Sequence, residues 1–252
     1  MLIQGKYQLT RMIGQGTYAT VYEAMHVQKG TKVAIKLDRN ENEVATKLIE
    51  HEISMFLELK KHKIENVVSI KSFGVFQNHH YIIMDYLPHT LDEYAANHRD
   101  KLDTLFQDAL SLLRKVHEKH IVHRDIKPDN FLVSNKGKVY LIDLGMASVV
   151  CPKTPLKNIV GSMMYCSPYV HKLDPYVPRD DILSLCYVFF ELYSNGVLPW
   201  THVHIQTTSP KLEVFYLLKQ HTDFVSYYNN PSIKHIIETY ETYFNSSDCK
   251  SL

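Results

Sequence analysis

The feature that most constrains the fold of this 252-residue chain is a change in its apolar periodicity near Pro88. Before that proline, short runs rich in β-branched and aromatic residues are separated by turn residues, which is typical of an antiparallel sheet. Beyond it, apolar residues recur at helical spacing. Five strands are predicted, in the segments YQLTRMIG, TVYEAM, KVAIKL, VVSIKSFGVF and YIIMDYL.

One helix is predicted within the β-rich part, over residues 42–60. Its apolar residues are spaced as on one side of a helix, so they are expected to face the core. They are Val44, Leu48, Ile49, Ile53, Phe56 and Leu59.

The part of the chain after Pro88 is predicted to be mainly helical. One helix carries a core-facing stripe of Leu102, Leu105, Phe106, Ala109, Leu110, Leu113 and Val116. The segment DDILSLCYVFFELYS is apolar nearly all round, which predicts a helix buried in the middle of this part. Only short helices are predicted after Trp200, in KLEVFYLLKQ and SIKHIIETYETYF. The predicted fold class is therefore α+β, with a small antiparallel β-sheet lobe containing one helix (1–86) and a larger, mainly helical lobe (87–252) that is short at its end.

Composition and charge exclude several classes of protein. The chain is 45% hydrophobic and 22% charged, which is ordinary for a folded domain, and its net charge of +1 gives no case for binding nucleic acid or a membrane surface. It lacks a run of about 18 apolar residues, and MLIQGKYQLT lacks the apolar core of a signal peptide. Its cysteines are widely spaced, so they are expected to be free thiols in a reducing cytoplasmic or nuclear compartment. They are Cys151, Cys166, Cys186 and Cys249.

A carboxylate interrupts the apolar face of the helix predicted over 42–60. Glu52 lies four residues from both Leu48 and Phe56, so it points into the core with them and needs a cationic partner. Lys36 is the candidate partner, because it shares a strand face with the small residue Ala34, against which a flat ligand could press. Such a lysine would be positioned for a phosphate. The alternatives are a glutamate tolerated at the core boundary and a solvent-facing lysine.

A glycine pair lies between the first two predicted strands, in GQGTYATV. Gly14 and Gly16 permit a tight turn whose N–H groups could face a phosphate. Ala19 stands where the motif G-x-G-x-x-G has its third glycine. Such a pair is also common in simple hairpin turns.

The segment KVYLIDLGM predicts a five-residue strand ending at Asp143, followed by Leu144 and Gly145. A carboxylate at a strand end suits a magnesium ligand. An aspartate in an ordinary β-turn is the alternative.

The most specific segment is HRDIKPDN, residues 123–130, which places several charges between two apolar runs. The segments GxG, VAIK, HRDIKPDN and DLG follow one another in the order described for protein kinases. A chance match over the eight positions of HRDIKPDN is improbable. The chain therefore resembles the eukaryotic protein kinases from about Tyr7 to Trp200, and more loosely after Trp200.

Within that family, the chain is similar to the casein kinase I branch. The similar segments are HRDIKPDNFL, GSMMYCSPYVH and PRDDILSLCYVFFELYSNGVLPW. Most other kinases have Ala-Pro-Glu where this chain has Ser167, Pro168 and Tyr169. The usual partner of that glutamate is a late arginine, and no arginine follows Arg179, so both halves of the ion pair are absent together. A cell-division-control type of kinase fits HRDIKPDNFL as well, but DDILSLCYV and LPW favour casein kinase I.

The resemblance implies transfer of the γ-phosphoryl group of ATP, with Mg²⁺, to serine or threonine hydroxyls of proteins. Asp125 would accept the hydroxyl proton, and Lys127 would neutralise the transferring phosphate. Asn130 and Asp143 would hold magnesium, while Lys36, oriented by Glu52, would bind the α- and β-phosphates. The remaining nucleotide contacts would come from Ile13, Gly14, Gly16, Val21, Ala34, Met84, Asp85, Leu87 and Leu132, with Thr90 and Asp92 as candidates for the ribose.

Supporting roles are also implied by the resemblance. Asp181 would brace the backbone of the catalytic loop, and His123 would pack under Leu144. Ser162 would contact Asp125 and Lys127, as in serine/threonine kinases.

The resemblance also bears on regulation and substrate. Arg124 could bind a phosphate on the activation segment, although casein kinase I-like enzymes are expected to be constitutively active. That family prefers acidic or already phosphorylated substrates. A matching basic surface, or simply a solvated one, could be formed by Lys153, Lys157, Lys172 and Arg179.

Other functional classes stay open at this point, and a monomer is expected. A pseudokinase that serves as a scaffold is one alternative, because Ala19 replaces a glycine and Leu144 replaces the usual phenylalanine. A small-molecule kinase with a related fold is another.

Overall fold

The structure is a computed structural model that describes residues 2–39, 43–201 and 209–245. Its N-terminal lobe contains one antiparallel sheet of six strands in the order β1-β2-β3-β4-β6-β5. These are β1 (Leu2–Ile3), β2 (Tyr7–Gln15), β3 (Ala19–His26), β4 (Lys32–Asp38), β5 (Ile70–Phe76) and β6 (His79–Asp85). The predicted strands are therefore confirmed, except that VVSIKSFGVF joins the sheet only from Ile70.

Helix α1 (Glu43–Lys61) lies between β4 and β5 in sequence. Its buried residues are Ala45, Ile49, Glu52, Met55, Phe56 and Leu59. The prediction that Val44 faces inward is wrong, because its side chain is 51% exposed. Residues 45, 49, 52, 56 and 59 follow the i, i+4, i+7 rule, and Val44 lies one position, about 100°, away from that stripe.

The C-terminal lobe is mainly helical, as predicted, and the α+β fold class is confirmed. Its helices are α2 (Leu91–Asn97), α3 (Leu102–His117), α4 (Pro168–His171), α5 (Pro178–Tyr193), α6 (Ser209–His221), α7 (Phe224–Tyr228) and α8 (Pro231–Asn245). The apolar face predicted for α3 is buried throughout. Helix α5 is buried nearly all round, as DDILSLCYVFFELYS predicted.

Short strands hold the loops between α2 and α4. They are β7 (His89–Thr90), β8 (Ile121–Val122), β9 (Phe131–Val133), β10 (Val139–Leu141) and β11 (Ser148–Val149). They form a three-stranded sheet, β10-β9-β7, and a pair, β11-β8. The predicted strand ending at Asp143 is wrong in its boundary, because β10 ends at Leu141 and the chain then turns.

A continuous cluster of buried side chains extends from Ala34 and Met84 of the sheet to Leu185 and Trp200 of the helical lobe. Within the described residues, no helix is long and apolar enough to cross a membrane. Cys151, Cys166 and Cys186 are free thiols, and Cys249 lies outside the described residues.

Candidate active site

The carboxylate of Asp125 lies at the centre of a group of polar contacts on the loop between β8 and β9. Both strands are anchored by buried apolar side chains, among them Phe131. Lys127 Nζ lies 2.8 Å from Asp125 Oδ2, and Ser162 Oγ donates to Oδ1 at 2.8 Å. Asn130 Nδ2 donates to the carbonyl oxygen of Asp125 at 2.8 Å and to Oδ2 at 3.2 Å. Both carboxylate oxygens are thus oriented, because Ser162 and Lys127 each contact Asp125.

A buried ion pair joins β4 to α1. Lys36 Nζ lies 2.7 Å from Glu52 Oε2 and 2.9 Å from Asp143 Oδ1. Glu52 is only 2% exposed, which excludes the alternative of a glutamate at the core boundary. Burial lowers the pKa of Lys36, but the charges of Glu52 and Asp143 outweigh it and the net shift is upward. Burial raises the pKa of Glu52, and the Lys36 ammonium opposes that rise. Lys36 is therefore held as a cation between two carboxyl groups.

The backbone at Asp143 has a left-handed conformation, with φ 57°, at the start of a 3-10 turn over Leu144–Met146. This conformation costs a non-glycine residue about 1–3 kcal/mol. The Asp143 side chain accepts from Gly145 N at 3.4 Å. Burial raises the pKa of Asp143. The charge and hydrogen bond of Lys36 lower it by more than burial raises it, so the net shift is downward. Asp143 is therefore held as an anion.

The donor set of Asn130 and Asp143 fits magnesium. Asn130 is buried and donates to Asp125 through its Nδ2, so its amide oxygen takes no part in the hydrogen bonds to Asp125. A backbone hydrogen bond of 3.0 Å from Ile142 N to Asn130 O ties the two ligand segments together. Magnesium takes one or two protein oxygen ligands together with substrate phosphates and water. In the described parts of the chain, no group of three or more His, Cys, Asp or Glu could hold a metal.

Asp181, at the start of α5, fixes the backbone of the catalytic loop, as predicted. Its Oδ2 accepts from His123 N at 2.7 Å and from His117 Nε2 at 2.9 Å. Its Oδ1 accepts from Arg124 N at 2.9 Å and from Tyr176 Oη at 2.8 Å. Burial raises the pKa of Asp181, but these hydrogen bonds and the nearby histidines outweigh it, so the pKa is lowered. The loop is held by an ionised, fully buried carboxylate.

The imidazole of His123 connects the catalytic loop to the segment before Asp143. Its Nε2 lies 2.9 Å from the carbonyl oxygen of Ile142. This contact falls two residues before Leu144, under which His123 was expected to pack.

The predicted nucleotide-binding residues share one face of the sheet. Val21 on β3 pairs with Lys36 on β4, and Ala34 pairs with Met84 on β6. Side chains of directly paired residues lie on the same side of a sheet. Ala34 and Met84 are each 7% exposed, and Ile13 is 40% exposed.

The other predicted nucleotide contacts lie around this face. Gly14 pairs with Val21, and Gly16 N donates to the carbonyl oxygen of Ala19 at 2.9 Å in the turn between β2 and β3. Leu87 packs on the main core, and Leu132 pairs with Thr90 in the short sheet. The N–H of Asp85 donates to the carbonyl oxygen of Ser69 at 3.2 Å, so a backbone hydrogen bond from Asp85 to a nucleotide would have to use its carbonyl oxygen.

The candidates for the ribose also have local roles. Thr90 caps α2 in a capping box with Glu93. Asp92 lines a cavity of about 550 Å³ together with Asp129, Tyr165 and Glu191. Asp129, the one charge of HRDIKPDN without a predicted role, therefore faces this cavity.

The activation segment is held close to the catalytic loop at Gly161. This residue has φ +78°, and a Cβ atom there would lie 2.2 Å from the carbonyl oxygen of Arg124. Arg124 Nε donates to the carbonyl oxygen of Met146 at 2.6 Å. Arg124 thus braces the start of the activation segment.

The Ser-Pro-Tyr triplet is anchored without the usual glutamate–arginine pair. Ser167 Oγ donates to Asp180 Oδ1 at 2.5 Å. The guanidinium of Arg179 lies 3.6 Å from the ring centroid of Tyr169, in a cation–π contact. Arg179 therefore packs on an aromatic ring, which argues against a purely solvated surface at this residue.

One residue that sequence reasoning missed is Lys219 on α6, which is 3% exposed and contacts the activation segment. It lies four residues after the buried Phe215, so helical periodicity places both on the same face. That spacing, within the apolar run VFYLLK, was the available signal.

Comparison with known families agrees with this geometry. A family model described as a protein kinase domain matches residues 7–252. The match includes the residues after Trp200.

Proposed function

Because this chain belongs to the protein kinase domain family, we propose that it is a serine/threonine kinase that transfers the γ-phosphoryl group of ATP to protein hydroxyls. The observation that carries the proposal is the Asp125 carboxylate, which contacts Lys127, Ser162 and Asn130. The ion pair of Lys36 with Glu52 supports it, because it provides a positioned cation for phosphates.

The chemistry follows from where charges and protons are held. Asp125 would accept the proton of the attacking hydroxyl at a carboxylate oxygen, and Ser162 and Asn130 keep that carboxylate oriented. Lys127, 2.8 Å from Asp125, supplies positive charge beside the reacting hydroxyl. Asn130 and Asp143 would hold Mg²⁺, which, bound with ATP, would neutralise phosphate charge. Most of the catalytic effect would thus come from positioning and charge neutralisation.

The preference for serine and threonine is supported by the contact between Ser162 and Asp125 at 2.8 Å. A library of serine, threonine and tyrosine peptides, incubated with purified protein and labelled ATP, tests this preference. Incorporation on serine and threonine is expected. Incorporation on tyrosine alone would contradict the proposal.

The alternative of a pseudokinase makes a different prediction for matched variants. Asp125→Asn is expected to abolish phosphoryl transfer to casein while leaving ATP binding within about twofold, because Asp125 acts on the hydroxyl. Asp143→Asn is expected to abolish transfer and also the magnesium dependence of nucleotide affinity. Asp100→Asn, at a side chain that is 74% exposed, is the control. A wild-type protein that binds ATP but labels no substrate would favour the scaffold.

A casein kinase I-like specificity is the finer proposal. Lys153 and Lys157, exposed on the activation segment, favour acidic or already phosphorylated substrates. A panel of otherwise identical acidic, phosphorylated, neutral and basic peptides tests it by kcat/KM. A preference for basic peptides would contradict it, and the carboxylates of Asp129 and Glu191 around the 550 Å³ cavity would then be the natural cause.

Constitutive activity is also proposed. It is supported by the hydrogen bond from Arg124 Nε to Met146 O, which engages Arg124 without a phosphate. Phosphatase treatment is expected to leave kcat unchanged. Loss of most activity after treatment, and its return after autophosphorylation, would contradict the proposal.

A further inference from the structure

The side chain of Lys219 crosses from α6 to the end of the activation segment. Its Nζ donates to the carbonyl oxygens of Met163 and Cys166, each at 2.6 Å. It also lies 3.3 Å from His171 Nε2 and 4.0 Å from Cys166 Sγ. A single ammonium group therefore bridges two carbonyls three residues apart.

This ammonium is surrounded by aromatic rings. Its Nζ lies 5.1 Å from the Trp200 centroid, 5.5 Å from that of Phe215 and 5.6 Å from that of Tyr187. In the part of the chain that the structure describes, Lys219 forms no salt bridge with a carboxylate. Burial lowers its pKa to about 8. A buried cation without an anionic partner is costly, so its hydrogen bonds to the segment are its main compensation.

The carbonyls that Lys219 binds belong to a tight turn that leads away from Ser162. Tyr165 N and Cys166 N donate to Ser162 O at 2.9 and 2.8 Å. Trp200 Nε1 donates to Met164 O at 2.8 Å. The carbonyls of residues 163, 164 and 166 are thus held from the helical lobe, while Ser162 reaches the Asp125 carboxylate.

We propose that Lys219 is a positioning residue that holds residues 163–166 in the conformation that receives the substrate peptide beside Asp125. The inference rests on the proposed kinase function and deepens it. Without the ammonium, two buried carbonyls would lose their donor and the turn would loosen. Peptide binding would be weakened more than nucleotide binding, because the contacts of Lys36, Glu52 and Asp143 do not involve α6.

The test compares Lys219→Met and Lys219→Arg with wild type. Methionine keeps an unbranched stem but cannot donate, and arginine keeps the charge and the donors. Lys234→Met, at an exposed lysine on α8, is the matched control. Lys219→Met is expected to raise the KM for a substrate peptide about tenfold or more while the KM for ATP stays within about twofold. Lys219→Arg is expected to recover much of the peptide affinity, and Lys234→Met to behave as wild type.

A second measurement needs no variant. Because the ammonium is present below about pH 8 and lost above it, the peptide KM of the wild type should rise as the pH passes that value, and that rise should be absent in Lys219→Arg. The titratable groups that face Nζ are Cys166, His171 and Tyr187. Burial raises the pKa values of Cys166 and Tyr187, and burial together with Lys219 lowers that of His171 to about 3, so none of the three titrates near pH 8.

Amide hydrogen exchange separates this inference from the kinase proposal. Lys219→Met should speed exchange at Tyr165 and Cys166 even if the wild type labels no peptide, in which case only the proposed function fails. A lower kcat with both KM values unchanged and unchanged exchange at these amides would mean a smaller folded fraction, and would overturn the positioning role.

Discussion

The strongest quantitative prediction concerns Asp181→Asn, which removes one charge and one acceptor from the support of the catalytic loop. The wild-type carboxylate accepts four hydrogen bonds. They come from His117 Nε2, His123 N, Arg124 N and Tyr176 Oη, at 2.7 to 2.9 Å. Asparagine has one acceptor oxygen, and its other group is a donor. Every orientation of the new side chain therefore turns an NH₂ group toward two of these donors.

Each orientation leaves one backbone N–H without an acceptor. If the NH₂ group replaces Oδ2, it faces His123 N–H and His117 Nε2. His117 can adapt, because its buried Nδ1 has no hydrogen-bond partner and can take the proton. If the NH₂ group replaces Oδ1, it faces Arg124 N–H and the hydroxyl of Tyr176, which can rotate to accept. Tyr176 or His117 thus adapts, while a backbone amide cannot.

The magnitude follows from that remaining amide. A hydrogen bond to a charged group contributes about 1.5–3 kcal/mol, and an unsatisfied buried donor costs about 1–3 kcal/mol. Asp181→Asn should therefore lower the free energy of unfolding by about 2.5–6 kcal/mol, a large part of the roughly 5–15 kcal/mol of an ordinary domain. The loop should also shift, and a displacement of about 1 Å at a reacting group can cost about a hundredfold in kcat.

Urea unfolding followed by far-UV circular dichroism measures the free energy, and peptide phosphorylation at a temperature where both proteins are folded measures kcat. Asp100→Asn, whose side chain is 74% exposed, should stay within about 0.5 kcal/mol of wild type. A similarly small change for Asp181→Asn would refute the reasoning, since it would mean that the buried carboxylate does not hold the loop.

Three further outcomes follow from the same region. Gly161→Ala should lower the free energy of unfolding, measured in urea, by about 1–3 kcal/mol or more, because the new Cβ would lie 2.2 Å from Arg124 O at φ +78°; an unchanged midpoint would contradict this. Ser162→Ala removes the 2.8 Å bond to Asp125 and should lower kcat about tenfold or more with little change in melting temperature; full activity would contradict it. Since the pKa of Asp181 is lowered in the fold, its stabilisation is complete above its unfolded pKa of about 3.9 and is lost as pH falls through the lower folded value. Urea midpoints between about pH 5 and pH 2 should fall less steeply for Asp181→Asn than for wild type.

The elements that could be predicted from the sequence are those whose signal is local. Five strands and the buried helix α5 follow from the spacing of apolar residues within short segments. The side chains of HRDIKPDN lie close together because they are neighbours in the sequence. The pairing of Lys36 with Glu52 was also within reach, because a carboxylate on an apolar helical face requires a cation. The ends of the strands were harder to predict from the sequence. The strand expected to reach Asp143 stops at Leu141, since the chain turns into the left-handed conformation of Asp143.

What could not be predicted depends on contacts between distant segments. Helical spacing alone did not decide which of Val44 and Ala45 faces inward, because both are apolar and only the packing of α1 on its neighbours fixes the rotation. The positive φ of Gly161 depends on how closely the activation segment approaches Arg124, 37 residues earlier in the chain.

Lys219 shows how such a contact could be sought from sequence. A lysine on the same helical face as a buried aromatic residue resembles the case of Glu52, which was recognised because a charge on an apolar helical face needs a partner of opposite charge. Among the described residues, Lys219 has no carboxylate partner, and it donates to the main-chain carbonyls of Met163 and Cys166. Main-chain groups are present at every position and so leave no trace in the sequence. A buried charge whose partner is backbone must therefore be inferred from its own helical face, and its site follows only once the fold places a turn of the activation segment against that face.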